Sequence, residues 1–304
     1  MGDLMRPIPF RKLLNWVMEE YEKYRTIFGI PQEKFFRKKR EGYLKLFGEY
    51  LGNPVGPAAG PHTQLAQNIV TSYLCGGRFF ELKTVQVLDR LKLAKPCINA
   101  EDECYNVEWS TELSVEEALE EYIKAWFLLH ILEKEIYGVN LRSFIFNMSV
   151  GYNLEGIKSC KVDSFIEGLK DASHTPIFQE CKRVLKEEIK RFQAVDEEFI
   201  EGISPHICNS VTLSTMHGCP PGEIEAICKY LLGEKRLNTF VKLNPTLLGY
   251  EFVKEALANM GYNYIQLKEE SFAHDLQYKD GIALLRRVQN FAEEHQRLFG
   301  VKLS

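Results

Sequence analysis

The chain has 304 residues, 45% of them hydrophobic, with a formal net charge of -4 at neutral pH. That length is high for one ordinary domain but normal for an α/β barrel, which runs to about 250 residues or more. The weak negative charge gives no footprint for nucleic acid or an anionic membrane; no apolar run approaches spanning length, and the amino terminus lacks a signal peptide's apolar centre.

Residues 10–36 read as helical and aromatic-rich, followed by the basic link Lys38-Lys39-Arg40. Residues 43–48 alternate apolar and polar side chains, as one arm of a hairpin does. From there short apolar strands alternate with helices. Strands are predicted at 54–58, 79–85, 144–150, 210–214, 240–243, 264–267 and 300–303. Ser114 and Glu117 form a capping-box pair ahead of a helix carrying Val115, Leu119, Tyr122, Trp126, Leu129 and Leu132. A second helix is predicted through Phe178, Cys181, Leu185, Phe192 and Phe199. A third follows Pro220-Pro221 and places Ile224, Ile227 and Leu231 on one face. Repeated strand–helix alternation predicts a parallel sheet in a TM-free α/β fold, the TIM (β/α)8-type barrel. About seven strands are visible of the eight a barrel requires, so the expectation is a barrel truncated near its seventh strand. The expected division is a helical amino-terminal extension at 1–42 and a partial barrel at 43–304.

The strand ends carry the chemistry. Asn53-Pro54-Val55-Gly56-Pro57-Ala58-Ala59-Gly60-Pro61 ends a strand in small residues, leaving space above the main chain for a flat ligand. The alternative is a tight Gly/Pro turn that serves only the fold. Later strands end in Leu82-Lys83-Thr84, in Val150-Gly151-Tyr152-Asn153, in Ser214-Thr215-Met216-His217-Gly218-Cys219 and in Lys242-Leu243-Asn244-Pro245. Lysine and asparagine at successive strand ends supply donors and cations that could hold the polar edge of an isoalloxazine ring.

This order of motifs resembles the FMN barrel of the dihydroorotate and dihydropyrimidine dehydrogenases. Over most of its length the chain is similar to the amino-terminal region of a group labelled selenate reductase subunits. The wording Val55-Gly56-Pro57-Ala58-Ala59-Gly60-Pro61-His62-Thr63-Gln64 and Ser214-Thr215-Met216-His217-Gly218-Cys219-Pro220-Pro221 carries that likeness. The resemblance implies an oxidoreductase with FMN in this barrel. Iron–sulfur clusters, FAD and NAD(P)H are expected only in further segments of a longer chain, which would be its electron-transfer partners. By the same resemblance Ala58, Ala59 and Gly60 lie under the FMN, Lys83, Thr84 and Lys242 approach it, Asn153 bridges flavin and substrate, and Asn244 faces a small, possibly heterocyclic substrate. Where the dehydrogenases carry an acid/base cysteine or serine, this chain reads Thr212-Leu213-Ser214-Thr215-Met216. Threonine is a poor proton shuttle, which puts the usual proton transfer, and pyrimidine reduction with it, in doubt.

Catalytic candidates are therefore Thr215, His217 and Cys219, the last just before a helix start where the dipole favours thiolate. His217 and Cys219 could instead be loop residues before a proline-started helix. Lys83 and Lys242 sit in apolar strands; they contact flavin or form internal salt bridges, with Glu81 or Glu269 as partners. Asn153 could serve plain turn chemistry, and His62, Thr63 and Gln64 could face a substrate or cap the next helix. The eight cysteines, including Cys75, Cys97, Cys104 and Cys160, form no Cys-x-x-Cys pair. That argues against an iron–sulfur cluster or zinc ribbon in this segment and suggests a reducing cytoplasm. Glu101-Asp102-Glu103 reads as a solvated loop, not a metal site. Two other readings stay open: a barrel without catalysis serving as a scaffold or small-molecule sensor, and a lyase using Lys83 or Lys242 as a Schiff-base nucleophile. A barrel ending near its seventh strand would lack the loops that bind the cofactor phosphate, so this polypeptide alone is expected to hold FMN weakly and to associate through an open edge.

Overall fold

The computed structural model describes residues 6–38, 42–88, 98–99, 106–107, 113–214 and 218–303. The described residues of 1–148 and 160–209 form one compact unit, and those of 149–159 with 210–304 form a second.

The first unit opens with α1 (Phe10–Tyr24), which stops where Arg25 takes a left-handed φ of 54° and returns its N–H to the Tyr21 carbonyl. The helix expected over 10–36 is thus shorter. Glu20 is the reason: its carboxylate accepts the N–H groups of Phe28 (3.1 Å) and Gly29 (2.7 Å) and the Thr26 hydroxyl (2.7 Å). These bonds hold the tip of a two-stranded antiparallel turn, Thr26–Ile27 against Ile30–Pro31. A hairpin forms here, but from Leu44–Leu46 and Glu49–Leu51: its turn, with Phe47 and Gly48 both at positive φ (53° and 80°) as a type I′ turn requires, falls inside the single arm expected over 43–48.

Residues 55–57 then run along β1 (Phe79–Glu81). Arg78 and Phe79 donate to the Val55 carbonyl at 2.8 and 3.4 Å, and Glu81 donates to Pro57 at 3.2 Å. The bonding is one-sided at Pro57, which has no N–H to return. A Cβ on Gly56 would lie 1.6 Å from the Phe79 carbonyl oxygen, so close backbone contact demands glycine there. β1 pairs in parallel with β2 (Ile145–Gly151). β2 is buried along its whole length, as strands covered on both faces are. The strand predicted to reach 85 ends at Glu81, although Leu82 still donates to Asn147 at 2.9 Å.

Three helices gather the core: α2 (Ala66–Leu74), α3 (Val115–Ile131) and, further on, α4 (Cys160–Lys170). The capping box forms as read: Glu117 N–H donates to Ser114 Oγ (3.1 Å) and Ser114 N–H to the Glu117 carboxylate (2.9 Å). α3 is buried nearly all round, because α2, α4 and α5 (Pro176–Glu187) all pack on it. Trp126 anchors it against Phe144 and Phe146 (centroids 5.3 and 5.4 Å) and donates from Nε1 to the Ser204 carbonyl at 2.9 Å. The helix predicted through Phe199 breaks. α5 ends at Glu187, the N–H groups of Gln193, Ala194 and Val195 are taken by the Glu135 carboxylate, and Asp196 caps a new turn at Glu197–Gly202.

In the second unit β4 (Asn238–Leu243) pairs in parallel with β3 (Ser210–Ser214) on one side and β5 (Phe299–Leu303) on the other. α6 (Pro221–Lys229) starts on proline as predicted, buries Ile224 and Ile227, and packs against α7 (Tyr278–Glu294). The strand predicted at 264–267 does not form. β5 fills the edge of β4 where it would pair, and Tyr264 and Ile265 are 65% and 43% exposed. No helix among the described residues is long and apolar enough to cross a membrane.

Candidate functional site

In the first unit the carboxyl end of the 55–57 segment is tied to β1 by a side chain. The Ala59 N–H donates to the Glu81 carboxylate at 3.0 Å, and Gly60 is closed by Thr63, whose hydroxyl accepts from the Gly60 N–H (3.1 Å) and donates to its carbonyl (3.0 Å). Ala58 is exposed, Ala59 half-buried and Gly60 buried, so the main chain at Ala58–Ala59 is open to a ligand. Thr63 therefore serves the turn. Gln64 is fully buried; its Oε1 accepts from Leu113 at 3.1 Å, while its Nε2 finds no acceptor among the described residues.

Glu81 and Lys83 are two residues apart on an extended segment and so share a face. Lys83 is only 5% exposed, and burial alone pulls its ammonium pKa down to about 8. No ion pair or hydrogen bond holds its amine among the described residues, so the expected salt-bridge alternative with Glu81 does not form. Its backbone is pinned instead: Tyr122 donates its hydroxyl to the Lys83 carbonyl at 3.1 Å, from the middle of α3. Burial raises the Tyr122 phenol far above its ordinary range, which keeps it a donor. Thr84 follows, half-buried. Sequence reasoning placed Tyr122 on an apolar face and missed this bond; its spacing within α3 gives no hint of it. It missed too the buried pair Glu121–Lys124, in which Glu121 accepts the first N–H of α2, from Ala66, at 2.7 Å.

The second unit holds the other candidates. Asn153 caps the short helix Leu154–Ile157, its Oδ1 accepting from Gly156 at 2.9 Å, so the turn-chemistry alternative describes that oxygen. Glu223 accepts the neighbouring Leu154 N–H at 3.2 Å. Lys242 is half-buried on β4 and has interactions of its own. Asn244 donates to Asp275 at 3.3 Å and Thr246 to the same carboxylate oxygen at 2.6 Å. Cys219 is half-buried, and desolvation, then Glu223 and Asp275, push its thiol up to about 11. The helix-stabilised thiolate expected there is not favoured: burial first, then the two carboxylates, outweighs the start of α6. Thr215 and His217 lie outside the described residues, as do Glu101, Asp102, Glu103, Cys97 and Cys104. No group of three or more potential metal ligands occurs among the described residues.

Parallel strands joined through helices, with small and polar residues collected past their carboxyl ends, define an α/β-barrel class of protein. A family model described as "Oxidoreductase YgfK, N-terminal TIM-barrel domain" matches residues 28–304, and the chain belongs to that family. It is 53% identical to "Putative oxidoreductase YgfK" of Escherichia coli strain K12, and equally to the protein of that description from Escherichia coli O157:H7. Both matches cover 100% of this chain and 31% of the relative, so the chain spans about a third of the length of these relatives. Among solved structures, a Plasmodium falciparum HPPK-DHPS triple mutant with pteroate aligns over 95% of this chain and 52% of that one. With 8% identity and a TM-score of 0.24, that likeness carries no argument.

Proposed function

We propose that this chain forms a flavin barrel, the substrate-side module of a longer electron-transfer oxidoreductase that carries iron–sulfur, FAD and NAD(P)H segments elsewhere. The observation that carries the reading is the pairing of an open Ala58–Ala59 main chain with a buried Lys83 amine that no carboxylate among the described residues pairs with. Leaving a buried cation without a counter-charge is costly unless a ligand supplies one. The group therefore fits FMN. Ala58, Ala59 and Gly60 would lie against the ring, since a longer side chain at Ala58 or Ala59 would fill that space. Lys83 would hold the negative edge, with Thr84 beside it; Asn153, Lys242 and Asn244 are proposed for the flavin and the substrate on the family resemblance alone. The flavin would supply the hydride chemistry when bound.

In this picture the protein's own residues orient and polarise. Glu81 fixes the floor by its bond to Ala59. Tyr122 fixes the height of the lysine through its backbone carbonyl. Cys219, protonated up to about pH 11, would act as a proton donor or a hydrogen-bond donor, not as a nucleophile. Thr215 and His217 are proposed beside it on sequence position alone. Flavin released from the full-length protein and separated by chromatography tests the reading: FMN near one per chain, besides FAD, supports it, and FAD alone overturns it.

The same lowered Lys83 pKa favours one second reading, a Schiff-base lyase, because a neutral amine is a nucleophile. Borohydride trapping of a carbonyl substrate on Lys83, in protein free of FMN, would select it.

A further inference from the structure

A second buried cation lies at the opposite, amino-terminal end of β1. Arg78 precedes the strand and is 4% exposed. Its Nη1 donates to the Tyr73 and Gly77 carbonyls at 2.7 and 2.8 Å, and its guanidinium stacks 3.7 Å from the Tyr73 ring centroid. No carboxylate forms an ion pair with it among the described residues. Glu133, the acid it influences electrostatically, is occupied elsewhere: its Oε1 accepts from the Tyr73 hydroxyl (3.0 Å) and from the Ser143 N–H (3.1 Å) and hydroxyl (2.5 Å).

Beside Arg78 is a cavity of about 60 Å³, whose wall includes Phe36, Lys38, Tyr43, Tyr137 and Ser143. Lys38 is exposed at its rim, over the Tyr43 ring at 3.7 Å, and Arg37 lies over Tyr137 at 5.1 Å. The Tyr137 hydroxyl is buried against this space, within reach of the Arg78 charge. Two cations, Arg78 and Lys38, thus line one cavity, and no carboxylate is among its lining residues. A space of this size takes a few waters or one small anion and excludes a nucleotide. A deeply buried guanidinium lacking an acid is the group that recognises an oxyanion through paired N–H donors.

We propose that this cavity is a binding site for one small oxyanion, of the phosphate, sulfate or carboxylate type, held by Arg78 with Tyr137 and admitted past Lys38. It is separate in its residues from the flavin floor and stands whether or not FMN binds there.

The test is equilibrium dialysis of the full-length protein against labelled phosphate and labelled sulfate at fixed ionic strength, comparing wild type, Arg78→Met and Lys38→Met. One saturable site that disappears in Arg78→Met and weakens about threefold to tenfold in Lys38→Met is expected, with flavin content unchanged. If Arg78→Met fails to fold, Lys38→Met decides, since Lys38 is exposed. Equal binding in wild type and Lys38→Met, or no saturable binding of either anion, overturns the proposal and leaves water as the occupant.

Discussion

Replacing Lys83 by methionine separates the demands of folding from those of binding. In the folded chain the ammonium is buried with no ion-pair partner among the described residues, and its pKa falls from 10.5 to about 8. That displacement corresponds to roughly 3 kcal/mol of destabilisation while both states hold the proton, below pH 8. Between pH 8 and 10.5 the native state has released a proton that the unfolded state still binds, so wild-type stability rises with pH through that window; above it the penalty is gone. Methionine keeps most of the apolar stem and removes the charge. Lys83→Met should therefore raise the unfolding free energy of flavin-free protein by about 3 kcal/mol at pH 7, and the gain should shrink towards zero by pH 11. Urea titrations followed by tryptophan fluorescence at both pH values measure it, with Trp16, Trp109 and Trp126 all within residues 1–148. A variant no more stable than wild type at pH 7, or a gain that persists unchanged at pH 11, would refute the claim that this lysine is an uncompensated buried cation.

Gly56→Ala should dislodge the floor, because its Cβ would lie 1.6 Å from the Phe79 carbonyl, whereas Gly202→Ala, with nothing within 4 Å, should be tolerated; soluble yield and thermal midpoint of the two variants show the contrast. Ser114→Ala removes one half of the α3 capping box and should cost about 1 kcal/mol by urea titration, with no effect on flavin content. At pH 8 the thiolate fraction of Cys219 should be only about 0.001, so iodoacetamide should label exposed Cys75 and Cys160 first; peptide mapping that finds Cys219 equally reactive would contradict its position between Glu223 and Asp275.

The elements that sequence made legible are those set by local chemistry. Ser114 and Glu117 close their box, Pro221 begins α6, and the apolar runs at 145–151 and 210–214 become buried parallel strands. What escaped was decided by side chains distant in sequence. Glu20 stops α1 and Glu135 stops the helix expected to run on through Phe192, each by capturing several backbone N–H groups at once. Residues 264–267 have a strand's composition, but parallel pairing of β4 with β5 leaves them no partner. In the first unit the small residues at 58–60 and a lysine among apolar neighbours at 83 were readable from the sequence, while their part in a binding site is a proposal. The Tyr122 bond that sets the lysine, and the burial and nearby carboxylates that raise the Cys219 thiol, were not readable, because nothing in local spacing reports on them.

The central claim is that FMN rests against Lys83, and the FMN-to-FAD ratio of full-length protein, wild type beside Lys83→Met, tests it most directly. Near-stoichiometric FMN in the wild type, lost in a variant that is folded and keeps its FAD, is the predicted result. FMN retained in full by Lys83→Met, or absent from both proteins, would contradict it.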